Sequence, residues 1–169
     1  MVKLVTVNEK DEKLGLEDKV KAHLGKGILH RAFTILIFNS KNQLLIQKRG
    51  KDKMLWPLIW EASCSSHPLK DENYITAGKR RLKKELGFTC KLKNLGKFQY
   101  QAKYKNIGSE NEVCALLAGR HQGRVKPNPK EVVEWKWIDL KTLKKDILKR
   151  PVKYAPWLKI ALKYNENRK

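Results

Sequence analysis

Five residues offer the chemistry that stands out in this sequence: His23, His30, His67, Glu110 and Glu112. In the run Glu110-Asn111-Glu112-Val113-Cys114, a strand would turn both carboxylates and the Cys114 thiol to one face, with Val113, Ala115 and Leu117 on the other. Two carboxylates on an otherwise apolar strand are costly unless they are solvated, paired or bound to a metal. The strand alone leaves edge solvation and ligation equally open. A lone histidine is more often structural or superficial than a ligand, but three of the four here lie beside motif-like segments. His23 and His30 flank a loop that holds Gly25 and Gly27, and His67 opens the run His67-Pro68-Leu69. Three imidazoles and two carboxylates fit an octahedral divalent cation such as Zn2+, Mn2+ or Mg2+, and suit no soft thiolate metal. The fourth histidine, His121, reads as a surface residue in a basic loop over 119–129.

A second group of residues suits an anion. The basic loop Lys48-Arg49-Gly50-Lys51-Asp52-Lys53 reads either as a solvated loop or as an anion clamp, since guanidinium forks and ammonium point charges both suit phosphate. Arg81 and Glu85 are four apart and share a helix face. They form either a surface ion pair or a phosphate-facing guanidinium beside a metal-facing carboxylate.

The elements that must position these groups follow from periodicity. Residues 4–7 read as a short strand, 8–15 as turn-rich and 16–24 as helical. Residues 32–38 and 43–47 are apolar, β-branched strands joined by the polar turn Asn39-Ser40-Lys41-Asn42. Trp56-Pro57-Leu58-Ile59-Trp60 reads as core or pocket wall. The main helix is expected over 71–86, with Ile75, Gly78, Leu82 and Leu86 as its apolar stripe and Gly87 as its C-terminal cap. Residues 97–104 alternate cleanly, with Phe98, Tyr100, Ala102 and Tyr104 on one face. Strands over 110–119 and 132–138 follow, then a helix over 140–148 capped by Asp139. A last helix runs to Tyr164, with Pro156 in its first turn.

Composition bounds the setting. The 169 residues read as one domain over 1–169, large enough for a real core. Lys and Arg outnumber Asp and Glu by 38 to 17, a net charge of +21 that favours anionic partners. Much of this is also what a lysine-rich solvated surface looks like. Three cysteines without close pairing argue for a reducing compartment. The N-terminus reads as no signal peptide and no apolar run can span a bilayer, so a cytoplasmic protein without membrane insertion is expected.

From Ser66, the spacing of five residues to Glu72, seven more to Arg80, and then Arg-x-Leu-x-x-Glu-x-Gly-Phe resembles a degraded Nudix box. That motif has Gly at Ser66 and Glu at Arg81 and Lys84. This loss, together with His-x6-His, His-Pro-Leu and Glu-Asn-Glu-Val-Cys, resembles the type 1 isopentenyl-diphosphate isomerases over about residues 4–165. The resemblance implies a Nudix-type α/β/α sandwich with a mixed β-sheet. It implies a divalent metal held by His23, His30, His67, Glu110 and Glu112, and a magnesium ion on Glu85. It implies a small-molecule diphosphate on Lys19, Arg49, Lys53 and Arg81, with Glu112 as acid/base, Tyr100 near the reacting carbons and Trp157 facing a carbocation. The implied reaction interconverts isopentenyl and dimethylallyl diphosphate in a dry site.

The chain departs from that family at its second acid/base group. The family's cysteine, two residues before the histidine, is Ser65 here, and Cys64 stands one place earlier. The family's Thr and Asn are Glu61 and Ala62. Three outcomes follow: Ser65 works slowly, Cys64 reaches in through a one-residue shift, or the reaction has changed. The alternatives are a Nudix-type hydrolase or another enzyme acting on a diphosphate. The absent box glutamates count against hydrolysis, which needs carboxylates to hold its metals. A basic nucleic-acid-binding protein is the remaining class, and no nucleic-acid motif supports it. The sequence gives no oligomeric state.

Overall fold

The computed structural model describes residues 2–168. Strands β1 (Lys3–Val7) and β2 (Lys13–Asp18) pair antiparallel, and helix α1 (Lys19–His23) follows. Residues 16–24 are therefore not one helix. The ladder Lys3↔Asp18, Leu4↔Glu17 and Val5↔Leu16 takes up the backbone of 16–18. The Asp18 carboxylate then accepts from the N–H groups of Val20 and Lys21 and starts a single turn.

The strands that carry the site are β3 (His30–Phe38), β4 (Leu44–Arg49), β5 (Trp60–Glu61) and β6 (Cys64–Ser66). Helix α2 (Tyr74–Leu86) comes next, then β7 (Leu92–Tyr104), β8 (Gly108–Arg120) and β9 (Val132–Ile138). Helices α3 (Leu140–Lys149) and α4 (Pro156–Glu166) finish the chain. Helix α2 starts later than Asp71 because Asn73 caps it, accepting from Thr76 N–H, and Asp71 sits in the left-handed region at φ 68°. Gly87, at φ 78°, closes the helix as expected.

Among the described residues all nine strands join one sheet, and it is mixed: β3 runs parallel to β8 while every other strand pairing is antiparallel. Alternation along β3 explains the two layers that cover it. Phe33, Ile35 and Ile37 pack with Ala77, Leu82 and Leu86 of α2. Ala32 and Leu36 pack on the opposite side with Leu143 of α3 and Leu158, Ala161 and Leu162 of α4. Such a sheet is apolar on both faces because helices cover both. The result is the α/β/α sandwich that the resemblance implies. Burying each of these large aliphatic side chains contributes about 1.5–3 kcal/mol, which fixes the strand register on which the site depends.

One close approach needs its glycine. A Cβ on Gly108 would lie 2.1 Å from the carbonyl oxygen of His23, so only glycine lets the end of α1 meet the start of β8. That contact brings His23 to the two glutamates.

Candidate active site

The register of three strands builds one wall of the site. His30 pairs with Glu112 across β3 and β8, and Tyr100 pairs with Glu112 across β7 and β8. Glu110 and Glu112 project to the same face, as alternation requires, and His23 arrives from α1. His67 follows β6 in a loop tied to α2. Arg80 holds Glu72 with two hydrogen bonds of 2.6 and 2.7 Å and donates to the His67 carbonyl at 3.3 Å, while Leu69 N–H donates to Glu72. The box residues Glu72 and Arg80 thus brace the histidine loop.

One ligand atom from each of His23, His30, His67, Glu110 and Glu112 falls within 4.8 Å of all the others. His23 Nδ1 donates to the Lys19 carbonyl at 2.6 Å, and His30 Nδ1 to the Ile28 carbonyl at 2.7 Å. A carbonyl can only accept, so a neutral ring must present its Nε2 lone pair to the cluster. His30 Nε2 lies 3.7 Å from Glu112 Oε1 with no hydrogen bond. Glu110 Oε2 lies 3.0 Å from His23 Nε2 yet has no hydrogen-bond partner among the described residues. Buried lone pairs aimed at buried carboxylates repel unless a cation lies between them. The cluster therefore fits a divalent metal, with the Lys19 and Ile28 carbonyls orienting two of its imidazoles.

Charge balance in the cluster follows its neighbours. Burial, and then His30, His23 and Lys19, hold His67 well below the usual imidazole range. Burial also opposes charge on His23, but Glu110 and the Lys19 carbonyl outweigh it and raise that pKa. Glu112 is buried, yet His30 and Tyr100 keep its pKa low. Tyr100 donates its hydroxyl to Glu112 Oε2 at 2.6 Å, and burial beside that carboxylate pushes the phenol well above its usual value.

The opposite wall is basic. Lys19, Arg49, Lys53 and Arg81 line the same pocket as His23, His67, Glu110, Glu112, Tyr100, Ser65 and Trp157, in a volume of about 290 Å³. Burial and the charges of Lys53 and Arg81 lower the pKa of Lys19, as expected where cations converge to receive an anion. Three of these cations have internal partners. Arg81 holds Glu85 Oε1 at 2.6 and 3.0 Å and Glu131 at 3.1 Å, Lys53 pairs with Glu131, and Arg49 meets Glu61 at 3.2 Å. Glu85 lies behind this wall, and its Oε2 accepts from Gln47 at 2.7 Å. Both of its oxygens are satisfied, so Glu85 shows none of the unpaired lone pairs that mark the histidine cluster.

Between the walls, β6 decides which small residue reaches the pocket. Thr34 pairs with Ser65 and Ile35 with Cys64. Ser65 lines the pocket, 3.4 Å from Thr34 Oγ1, which in turn lies 3.5 Å from Cys114 Sγ. Cys64 points the other way, fully buried in the layer under α2, where burial and the nearby Glu85 raise its thiol well above the ordinary value. The one-residue shift that would bring Cys64 into the site does not occur, because the β3–β6 ladder fixes alternation. Sequence reasoning gave no role to Gln47 or Glu131, and read Glu61 only as a departure from the family. Gln47 was detectable as a polar residue inside an apolar strand, whereas Glu131 gives no local sign.

The sandwich, the braced loop and the metal-competent cluster define a Nudix-domain protein, and residues 28–158 match the NUDIX domain family. The chain is 40% identical over 159 residues to isopentenyl-diphosphate Delta-isomerase 1 of Aromatoleum aromaticum, covering 94% of this chain and 89% of that protein. It is 40% identical to isopentenyl-diphosphate Delta-isomerase 1 of Photorhabdus laumondii, with 94% and 92% covered. The Haloarcula marismortui isopentenyl-diphosphate Delta-isomerase is 34% identical, with 98% and 91% covered. The chain belongs to the isopentenyl-diphosphate Delta-isomerase family of Nudix-domain enzymes. A Deinococcus radiodurans crystal structure shares the fold at a TM-score of 0.77 and 19% identity, covering 95% of this chain and 98% of that one. A MutT protein from Methanosarcina mazei does so at 0.67 and 18%, covering 83% and 96%. No helix among the described residues is long and apolar enough to cross a membrane.

Proposed function

We propose that this protein interconverts isopentenyl and dimethylallyl diphosphate, acting as a single domain over residues 1–169. The observation that carries the reading is the joining, in one pocket, of a metal-competent imidazole–carboxylate cluster, a basic wall and an aromatic face. A pocket of about 290 Å³ lies near the lower end of the roughly 300–1,000 Å³ typical of small-ligand sites. That size suits a five-carbon chain.

The residues divide the work. Lys19, Arg49, Lys53 and Arg81 bind the diphosphate. Glu112 and Tyr100 hold a proton along their 2.6 Å hydrogen bond on one side of the alkyl chain, and Ser65 faces it from another. One proton is added at the terminal alkene carbon and another is removed from the allylic carbon next to the oxygen-bearing one. Atoms and charge therefore balance without a co-reactant. Trp157 presents its ring to the tertiary cation that forms between these two events. Water that would trap that cation must be kept from the alkyl chain, and the pocket offers the buried side chains of Phe33, Tyr100 and Trp157 for this.

His23, His30, His67, Glu110 and Glu112 would hold one divalent cation, and three imidazoles favour Zn2+ or Mn2+ over Mg2+ there. When bound, the ion supplies positive charge that orients Glu112 and polarises groups near it. A second ion, Mg2+ on Glu85, would have to displace Arg81 or Gln47, which already donate to its two oxygens. Ser65 is the weak member of the set, because a serine hydroxyl is far less acidic than a cysteine thiol at about pKa 8.5.

The test is incubation with isopentenyl diphosphate in Mg2+ and Mn2+, with product and released phosphate both followed. Dimethylallyl diphosphate should form without phosphate, and Glu112→Gln should abolish it. Phosphate release without isomerisation would favour the hydrolase reading. Tight, steeply salt-dependent nucleic-acid retention with no turnover would favour the binding-protein reading.

A further inference from the structure

The wall behind Trp157 contains a charged residue that the reaction as described does not use. Glu61 is 2% exposed and sits opposite Gln47 in the β4–β5 ladder. Its Oε1 accepts from Arg49 Nη1 at 3.2 Å and Gln47 Nε2 at 3.3 Å, and its Oε2 accepts from Trp157 Nε1 at 3.0 Å. Each of these contacts is made by a donor atom, and the Arg49 guanidinium favours the ionised carboxylate, while burial and the nearby Glu85 push its pKa up.

The same Arg49 lies over the Trp157 ring, its Cζ 5.0 Å from the centroid. Arg49 has two more anchors, donating to the carbonyls of Leu55 at 2.9 Å and Trp56 at 2.8 Å, so it cannot swing away. An indole that stacks a fixed guanidinium is a poor place to stabilise a second cation, because the two positive charges repel across one ring. A buried carboxylate touching both the guanidinium and the indole N–H removes that conflict. It neutralises Arg49 locally, and by accepting from Nε1–H it enriches the ring.

We infer that Glu61 is a positioning residue for cation stabilisation: it locks Trp157 and Arg49 together and makes the indole face able to hold a developing positive charge. The inference rests on the isomerase reading above, and adds that this chain tunes its aromatic wall with a buried carboxylate. Glu61 itself need not touch the substrate, since it is absent from the residues lining the pocket.

Two probes separate this role from simple packing. One is an alkyl diphosphate carrying a tertiary ammonium centre in place of the tertiary carbon, and the other is its neutral isostere. Binding of both to the metal-loaded protein is measured by calorimetry for wild type and Glu61→Gln, which keeps shape and acceptor but loses charge. The ammonium probe should bind wild type more tightly than the neutral one. Glu61→Gln should weaken the ammonium probe by about tenfold, in line with a desolvated cation–π contact, and leave the neutral probe within about twofold. Equal losses for both probes, or no loss for either, would overturn the inference. If Glu61→Gln does not fold, Trp157→Phe keeps a ring but removes the N–H that Glu61 holds. It too should lose ammonium binding selectively, and equal losses again contradict the role. If wild type itself shows no preference for the ammonium probe, the carbocation reading fails and takes this inference with it. That outcome is visible without any variant.

Discussion

The two walls of the pocket are built on opposite principles. The imidazole–carboxylate wall joins paired strands β3 and β8 to helix α1 and the His67 loop, with polar atoms of His30 and Glu110 that no described residue satisfies. Three of the four cations on the basic wall, Arg49, Lys53 and Arg81, already meet the carboxylates of Glu61, Glu131 and Glu85. The first wall is incomplete without an ion and should respond strongly to one. The second is internally compensated, so an incoming anion must compete with the protein's own carboxylates. Affinity for metal and affinity for diphosphate should therefore respond to mutation in opposite senses.

The largest expected effect is on the incomplete wall. Replacing His30 or Glu110 by alanine should abolish stoichiometric divalent-metal binding in calorimetry. The rise in melting temperature on adding metal should vanish with it, since a ligand that binds only the folded state stabilises by mass action. Retained binding with unchanged stoichiometry would remove the contrast. A smaller effect of opposite sign is expected on the basic wall. Glu131→Gln frees Lys53 and Arg81, so inorganic pyrophosphate should bind severalfold more tightly, by analogy with the modest strength of partly exposed pairs. Weaker binding would mean that Glu131 positions these cations and does not compete with the anion.

The smallest effect is on stability at low pH. Burial alone would raise the Glu131 carboxyl, but Lys53 and Arg81 outweigh it and bring its pKa from an ordinary 4.5 down to about 2. A group whose pKa is depressed on folding contributes stability that is present above the unfolded value and lost as pH falls toward the folded one. Wild type should therefore lose this contribution between about pH 4.5 and about pH 2, and Glu131→Gln should show a shallower decline over that window. Parallel acid profiles would contradict the pairing.

What could be read from the sequence was what depends on near neighbours. The shared face of Glu110 and Glu112, the half-buried alternation around Tyr100 and the capped box helix all follow from local periodicity, and all stand in the structure. The error over 16–24 has a nonlocal cause: the β1 ladder captures residues that would otherwise suit a helix. Glu131 and Gln47 were missed for the same reason, because their partners lie 14 to 78 residues away along the chain. Choosing between Cys64 and Ser65 also needed the β3–β6 register, which no local pattern fixes.

That register underlies the central proposal, that Ser65, where the resemblance implies a cysteine, acts as a weak acid/base group on the pocket face. The direct test is the rate of isopentenyl diphosphate isomerisation by wild type and by Ser65→Cys, each with metal binding measured on the same sample. The account predicts slow turnover by wild type and a rise of about 10²-fold or more in Ser65→Cys, the lower end of what a positioned acid/base group supplies. Metal-bound protein that turns over in neither form would contradict it, and the pocket would then serve a different diphosphate chemistry.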